Sequence, residues 1–456
     1  MSGLSTKGSQ QWLAFAALSI GMIVYGLAES YGPVSVASNV VPSSYSWLGY
    51  SLPYIFGGLG AIFAGITLDR LGRRRAFLLT SAVLIVGLLL YVPVYFFNVD
   101  NLALLIASMA LVGMAAIGLE SPVLTAIAES YDPARRSKLL VLAPNFGNLG
   151  VALAFVPLLL FHGNAASTMN ERLALMLMYI APVVAFIIAW IGLSESLPWK
   201  AAKEGALDLK SAWKAVDGGS AAPVVPTTGI GLRFATLLAL GISQDVAFVY
   251  ITYGITYAYF SSSQFAGMSV TTLVPLLGGF IMTIVGIIAA FAITPKAERR
   301  TFATLSFGLQ LAMWIVLAAM AYVYHLAFTL PLLIAFAATF IPVELTWAAR
   351  ALLEPELFPT NKRGLYVSAV RALVWILTGV ITGVLALPYV SSSFVLGASI
   401  MTAMAFLGIG GAIIWRLFGF ETANRSLVGL DLSHLAPITG SASDPSSDPS
   451  KDRNVH

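Results

Sequence analysis

The sequence predicts an all-α membrane protein of 12 transmembrane helices in two six-helix bundles, both termini cytoplasmic. Three observations carry this. The 456-residue chain is 58% hydrophobic and only 10% charged, where soluble domains carry roughly 25% charged residues. Its apolar runs approach the ~20 residues that cross a ~30 Å hydrocarbon core as a helix, without the alternation over about 10 residues that marks a barrel strand. One long polar interruption, 194–229, divides the runs into two sets of six. Without water in the bilayer each spanning segment must satisfy its own backbone, and a helix does so alone.

In chain order the spans are 12–35, 47–68, 76–97, 101–129, 137–161 and 171–193, then 230–259, 268–293, 300–325, 327–352, 364–388 and 393–418. The first follows Lys7 and continues without a small-residue cleavage site, so it reads as a span and not as a removable leader. The domains are then a bundle over 1–193, a linker over 194–229, a second bundle over 230–419 and a tail over 420–456. Within the linker, ALDLKSAWKAV suits a surface helix and GGSAAPVVPTTG has the composition of a flexible connection. Beyond His434 the tail turns to Ser, Asp and Pro, which predicts disorder.

Orientation follows from the basic residues. With the N-terminus inside, every lysine and arginine except Arg172 and Arg371 falls in a cytoplasmic segment or at the inner end of a span beside one, as the positive-inside rule requires. The net charge of +4 is spread over short loops, so it predicts no nucleic-acid partner. No cysteine is present, which removes disulfides and thiolate metal sites. The histidines at 162, 325, 434 and 456 stand apart. Together these predict neither a metal, a cofactor nor an intramembrane enzyme.

Five stretches interrupt the apolar pattern with charge. Residues 65–75 read GITLDRLGRRR between the second and third spans. Such a segment cannot sit in hydrocarbon, where each central Arg or Asp costs roughly 2.5–3.5 kcal/mol. The fourth span ends in ESYDPARR and the tenth leads to ELFPTNKRG. Glu129 and Arg136 are seven apart, as are Glu356 and Arg363, each pair with a proline between. The spacing marks an internal repeat at an offset of 227. Spans six and twelve end in SESLPW and FETANRSL.

These stretches resemble the loop signatures of the major facilitator superfamily of secondary transporters, most closely its sugar-porter and organic-ion branch. The resemblance implies a cytoplasmic gate. One half would contribute Gly65, Asp69, Arg70, Gly72, Arg73, Arg74, Glu129, Arg136 and Glu195. Glu356, Arg363 and Glu421 would form its partner. Intact, the cluster would hold the inner ends together in the outward-open state. Three departures stand out: Thr67 replaces an apolar residue, Phe420 replaces a proline, and Glu129–Arg136 is one residue longer than the common spacing. The loop ITPKAERR between spans eight and nine lacks the Gly-Asp pattern, which predicts a tighter latch in the first half.

Ionisable residues inside spans are functional candidates. Here they are Glu29, Glu120, Asp245, Glu344 and Arg371, on spans one, four, seven, ten and eleven. At ~1.5 Å per residue, Glu29 and Asp245 lie in the outer half of the membrane. Glu120, Glu344 and Arg371 lie in the inner half, where Glu344 and Arg371 can meet as an ion pair. A carboxylate shielded from water can load and release a proton near neutral pH. Glu29 follows Tyr25-Gly26, an aromatic-glycine pair resembling the one before the first-span acid of sugar porters. Proton coupling is therefore assigned to Glu29, with Asp245 and Glu120 as further candidates. The substrate-site candidates are Tyr25, Asn145, Asn148, Gln244, Glu344, Arg371 and Trp375. Asn145 and Asn148 share a helical face, and so do Arg371 and Trp375. Arg371, if free of Glu344, would suit an anion. Tyr250, Tyr253 and Tyr257 form a stripe read as packing.

The resemblance thus implies a monomeric plasma-membrane transporter working by alternating access. Its partners would be protons, the lipid bilayer and a small polar organic solute, a sugar or an organic anion, moved by proton symport. The rivals are a proton-coupled drug or metabolite antiporter, an uncoupled facilitator and, in a different class, a non-transporting membrane sensor.

Overall fold

The computed structural model describes residues 2–37, 41, 46–96, 101–161, 180–204, 209–218 and 221–435. Among them eleven helices are long and apolar enough to cross a membrane. In the predicted order these are Ser2–Glu29, Ser46–Leu71, Arg73–Phe96, Leu102–Ser130 and Pro133–Phe161 in the first half. The second half holds Ile230–Tyr259, Val270–Ile293, Arg299–Val323, Leu330–Glu356, Arg363–Leu385 and Phe394–Phe418. Of the predicted sixth span, Ile180–Gly192 is described, followed at a 62° bend by Leu197–Glu204. Its predicted start, with Arg172, lies outside the described residues, as does the tail beyond 435.

Local sequence explains the departures from straight helices. The first span breaks at Ser30 and resumes as Tyr31–Ala37, with Pro33 just inside the new helix, where a missing N–H costs nothing. The seventh span contains a π-turn at Tyr250–Gly254, and the eighth ends in another at Ala289–Ile293. Such turns insert one residue and re-aim the side chains beyond them.

The two most extensive contacts between the halves pack the second span on the eleventh and the fifth on the eighth. Backbone approach is close in the first of these. A Cβ on Gly65 would stand 2.6 Å from that of Ser368, so the small residue is what allows the contact. Spans three, six, nine and twelve present Leu89, Ile191, Leu305 and Leu417 outward. This outer apolar belt is the surface a bilayer would wet.

One end of the bundle carries the linker and is called here the linker face. There the linker helix Leu209–Asp217 lies beside the tail helix Val428–Leu435. A parallel bridge at Pro223–Ser426 joins the strands leading into and out of them.

Candidate functional site

Charge is buried in two layers. The central layer begins at Arg371 on the eleventh span, which pairs with Glu120 of the fourth span and with Glu354 of the tenth. Glu354 also accepts from Arg350 at 2.8 Å. Arg350 reaches on to Asp245 at 2.6 Å and to Gln244 at 2.5 Å, both on the seventh span. All six residues are buried. Removing one partner from such a buried chain leaves an uncompensated charge, at a cost of roughly 3–5 kcal/mol. The chain runs unbroken from the first half into the second.

Aromatic rings cover this chain. Trp347 donates from its indole to Glu120 at 3.2 Å. The two residues are 227 apart, the same offset as the repeated Glu–Arg motif, so equivalent positions of the two halves meet here, near the pseudo-two-fold axis. Tyr54 stacks on Trp375 with centroids 5.0 Å apart, and Tyr25 lies 6.2 Å from both Trp347 and Trp375. Glu29 is buried beside them, hydrogen-bonded to Tyr25 and within electrostatic reach of Asp245 and Glu120.

A second polar group also crosses the halves. Asn148 donates to Glu344 at 2.6 Å and to Asn145 at 3.1 Å, and Asn145 donates to the Thr283 carbonyl of the eighth span at 2.8 Å. Further toward the far face, the hydroxyls of Ser30 and Tyr253 lie 3.1 Å apart. Tyr257 there donates to the Pro33 carbonyl at 3.3 Å. The first and seventh spans are therefore bridged on that side.

The second layer lies at the linker face. Glu129 receives Arg73 through two nitrogens, at 2.9 and 2.7 Å, and Arg363 at 2.8 Å. Glu356 receives Arg299 at 3.0 Å and Arg136 at 3.1 Å. Ser196 donates to Glu129 and Thr422 to Glu356, each at 2.6 Å. Glu195 accepts the Arg73 backbone N–H at 2.6 Å, and Glu421 accepts that of Arg299 at 3.0 Å. Carboxylates at these positions complement the N-terminal ends of the third and ninth helices. Asp69 accepts the Gly364 and Leu365 N–H groups at 3.1 and 2.8 Å, capping the eleventh helix from the opposite half. Gly72 has φ +97°, and a Cβ there would stand 2.2 Å from a Glu195 oxygen. Only glycine meets both demands. Arg74 donates to the Trp190 carbonyl at 2.6 Å, while Arg70 remains exposed.

Residues 10–381 match the Major Facilitator Superfamily. The chain belongs to the Major Facilitator Superfamily. Trehalose transporter 1 of Drosophila melanogaster is 26% identical over 411 residues, covering 82% of this chain and 46% of that protein. The facilitated trehalose transporter Tret1 of Drosophila pseudoobscura pseudoobscura is 29% identical over 199 residues, 41% of this chain and 21% of that one. The chain thus aligns with less than half the length of these curated relatives. Among solved structures, the proton:xylose symporter XylE bound to 6-bromo-6-deoxy-D-glucose superposes with TM-score 0.73 at 18% identity, covering 93% of this chain and 99% of that one. The fold is thus the facilitator fold, and the protein is a multi-pass membrane protein of a transporter superfamily and not an enzyme.

Within this superfamily fold, several sequence expectations need correction. Arg371 does not pair with Glu344: helix rotation turns it to Glu120 and Glu354, and Glu344 meets Asn148 instead. Arg371 is therefore not a free cation for an anionic solute. Arg136 does not complete the first half's cluster, because Arg136 and Arg363 exchange partners across the halves. The second latch is not the looser one at its glutamate, since Arg299 does for Glu356 what Arg73 does for Glu129. The tyrosine stripe does more than pack, as Tyr253 and Tyr257 both bond to the first span's end. Sequence reasoning missed Glu354 because it ended the tenth span at 352, and it counted Arg350, two residues inside that end, with the cytoplasmic charges. The helix runs to Glu356, and the i,i+4 spacing of Arg350 and Glu354 on an apolar helix was the available signal. Tyr54 and Trp347 carried no signal beyond being aromatic.

Proposed function

We propose that the protein is a proton-coupled symporter of a small polar organic solute, with sugars the first class to test. It would work by alternating access as a monomer in the plasma membrane, with both termini cytoplasmic. The observation that carries this reading is the buried chain Glu120–Arg371–Glu354–Arg350–Asp245, which spans both halves at the level of the aromatic cluster. A charged network between two rocking bundles is the place where protonation of one acid can change the balance between states.

In this reading Glu29 takes the coupling proton, with Asp245 and Glu120 as the acids that sense it. Tyr25, Gln244, Trp375, Asn145, Asn148 and Glu344 face the solute. The linker-face layer is the cytoplasmic gate, and its bonds must break for the inward-facing state. The division into bundles 1–193 and 230–419 supplies the two moving bodies, and Arg–Lys asymmetry supplies the orientation. Both arginines of the central layer are spent on carboxylates, so a neutral solute is favoured over the organic anion. The relatives, trehalose transporters and a proton:xylose symporter, support the same class.

The test is uptake into proteoliposomes of trehalose, xylose and glucose, with and without an imposed pH gradient. Accumulation above equilibrium only with the acidic side outward is the expected result, and Glu29→Gln should abolish accumulation while retaining exchange. Uptake that ignores the gradient would defeat symport and leave the uncoupled facilitator, a reading favoured by the likeness to a facilitated trehalose transporter.

A further inference from the structure

The charge balance of the central interior is one-sided. Its guanidinium groups are committed to carboxylates. Arg350 is shared among Asp245, Gln244 and Glu354, Arg371 lies between Glu120 and Glu354, and the indole of Trp347 is on Glu120. The buried atoms without a hydrogen-bond partner among the described residues include Asp245 Oδ2, Asn148 Oδ1 and the hydroxyls of Tyr54, Ser51, Ser121 and Thr378, while Arg371 Nη1 and Nη2 are held by ion pairs. The first two atoms can only accept, and the hydroxyls can accept or donate. Tyr54 lies within electrostatic reach of Glu29 and Asp245, so its open hydroxyl belongs to the same cluster. Five carboxyl groups (Glu29, Glu120, Asp245, Glu344 and Glu354) share this interior with two guanidinium groups. Glu29 and Glu344 have no cationic partner among the described residues. Around them stand the faces of Tyr25, Tyr54, Trp347 and Trp375.

We propose that this centre recognises a small polar solute through a protonated amine, held by the surplus carboxylates and open acceptors and covered by the aromatic faces. An ammonium offers three donors and a positive charge, which suits an interior with more carboxyl than guanidinium groups. It forms charge-assisted bonds to carboxylates and is attracted to aromatic faces within ~6 Å. A carboxylate or phosphate would meet like charge and guanidinium groups already paired. The proposal rests on the transport reading for the site's purpose, but it concerns binding and is tested without transport.

The experiment uses the full chain purified in detergent at a fixed pH of 6.5. Thermal stabilisation is titrated with glucose, 2-amino-2-deoxyglucose and glucuronate, which differ in one group. A smaller series, ethylene glycol, ethanolamine and glycolate, removes dependence on ring size. The amine member of at least one series should bind roughly tenfold or more tightly than its hydroxyl parent, with the carboxylate weakest. Glu29→Gln and the milder Tyr54→Phe, whose hydroxyl has no partner to lose, should each bring the amine-to-parent ratio toward one. Equal binding within both series, stabilisation by neither amine, or an undiminished ratio in both variants overturns the proposal. Gradient-driven uptake of glucose without amine preference would sink this proposal and spare the symporter. Amine-selective binding without gradient-driven uptake would do the reverse.

Discussion

Glu129 and Glu356 occupy matching places at the linker face, yet the sequences around them match only in part. Each is fully buried, held by one arginine from its own half and one from the other, and further bound by a hydroxyl. Around Glu129 the preceding loop supplies Asp69, which caps the eleventh helix across the halves. Around Glu356 the loop has Pro295 four residues before Arg299, and its carbonyl accepts from Asn424 at 3.3 Å. One carboxylate-to-helix bond between halves is thereby replaced by a weak contact inside one half. The shared core is set by a glutamate and two arginines, and the asymmetry sits in what surrounds them.

That comparison can be broken at its strongest point first. Glu129→Gln leaves Arg73 and Arg363 facing a neutral amide, and Glu356→Gln does the same to Arg299 and Arg136. Each should cost roughly 3–5 kcal/mol, read as a lowered thermal midpoint in detergent. A mild Glu356→Gln beside a severe Glu129→Gln would mean the two cores are not equivalent.

Next come the crossed arginines. Arg363→Gln and Arg136→Gln each remove a bond between halves but leave the glutamate its own arginine, at about 1–3 kcal/mol. A single cysteine introduced at the linker face is a unique label, because the chain has none. Its labelling rate should rise about 5- to 100-fold in either variant if the loss falls on the closed state. An unchanged rate would assign these bonds to folding alone.

Asp69→Asn should act on the first half only, by about 0.3–1 kcal/mol, the range for a carboxylate at a helix N-terminus. A modest rise in labelling is expected, with no counterpart on the Glu356 side, since Pro295 has no side-chain acceptor to remove. If substituting Asn424 had the larger effect, the asymmetry would run the other way.

The smallest effect concerns the tail helix. Asp431 accepts from Trp213 at 2.8 Å and from the backbone N–H and hydroxyl of Thr360 at 2.6 and 2.9 Å. Arg363 stands over the Trp213 ring at 5.8 Å, so the linker and tail meet beside the Glu129 latch. Burial pushes the Asp431 carboxyl above its ordinary value, against the pull of Arg363 and of these bonds. The folded state then holds this proton more tightly than the unfolded chain. Its contribution to stability is full below the ordinary Asp pKa and is lost as pH rises through the raised one. Asp431→Asn, itself costing about 1 kcal/mol through one lost acceptor, should remove that slope. Thermal midpoints measured from pH 4 to 7 in both proteins would show whether it does.

Most of the latch was legible because its residues stand in short charged motifs with fixed spacing. A Glu and an Arg seven apart at the end of an apolar run have few places to go. The central site was legible only in its membership. Glu29, Glu120, Asp245 and Arg371 stood out as charges in apolar runs, whereas Glu354 was hidden by a span boundary four residues too early and Arg350, beside that boundary, was read as an end charge. Tyr54 and Trp347 were two aromatic residues among many.

By itself the sequence determined the class of fold, the positions of the spans, the two-fold repeat and the inventory of buried charge. Each follows from local chemistry: hydrophobic length, the cost of charge in hydrocarbon and motif spacing. Only the tertiary structure decided who pairs with whom. Arg136 and Arg363 cross between halves, Arg371 chooses Glu120 and Glu354 over Glu344, and Glu29 and Glu344 are left without a cationic partner among the described residues. These outcomes depend on how each helix is rotated against its neighbours. That rotation is set by close backbone approaches such as Gly65 on Ser368, which belong to pairs of helices and not to any one stretch of chain.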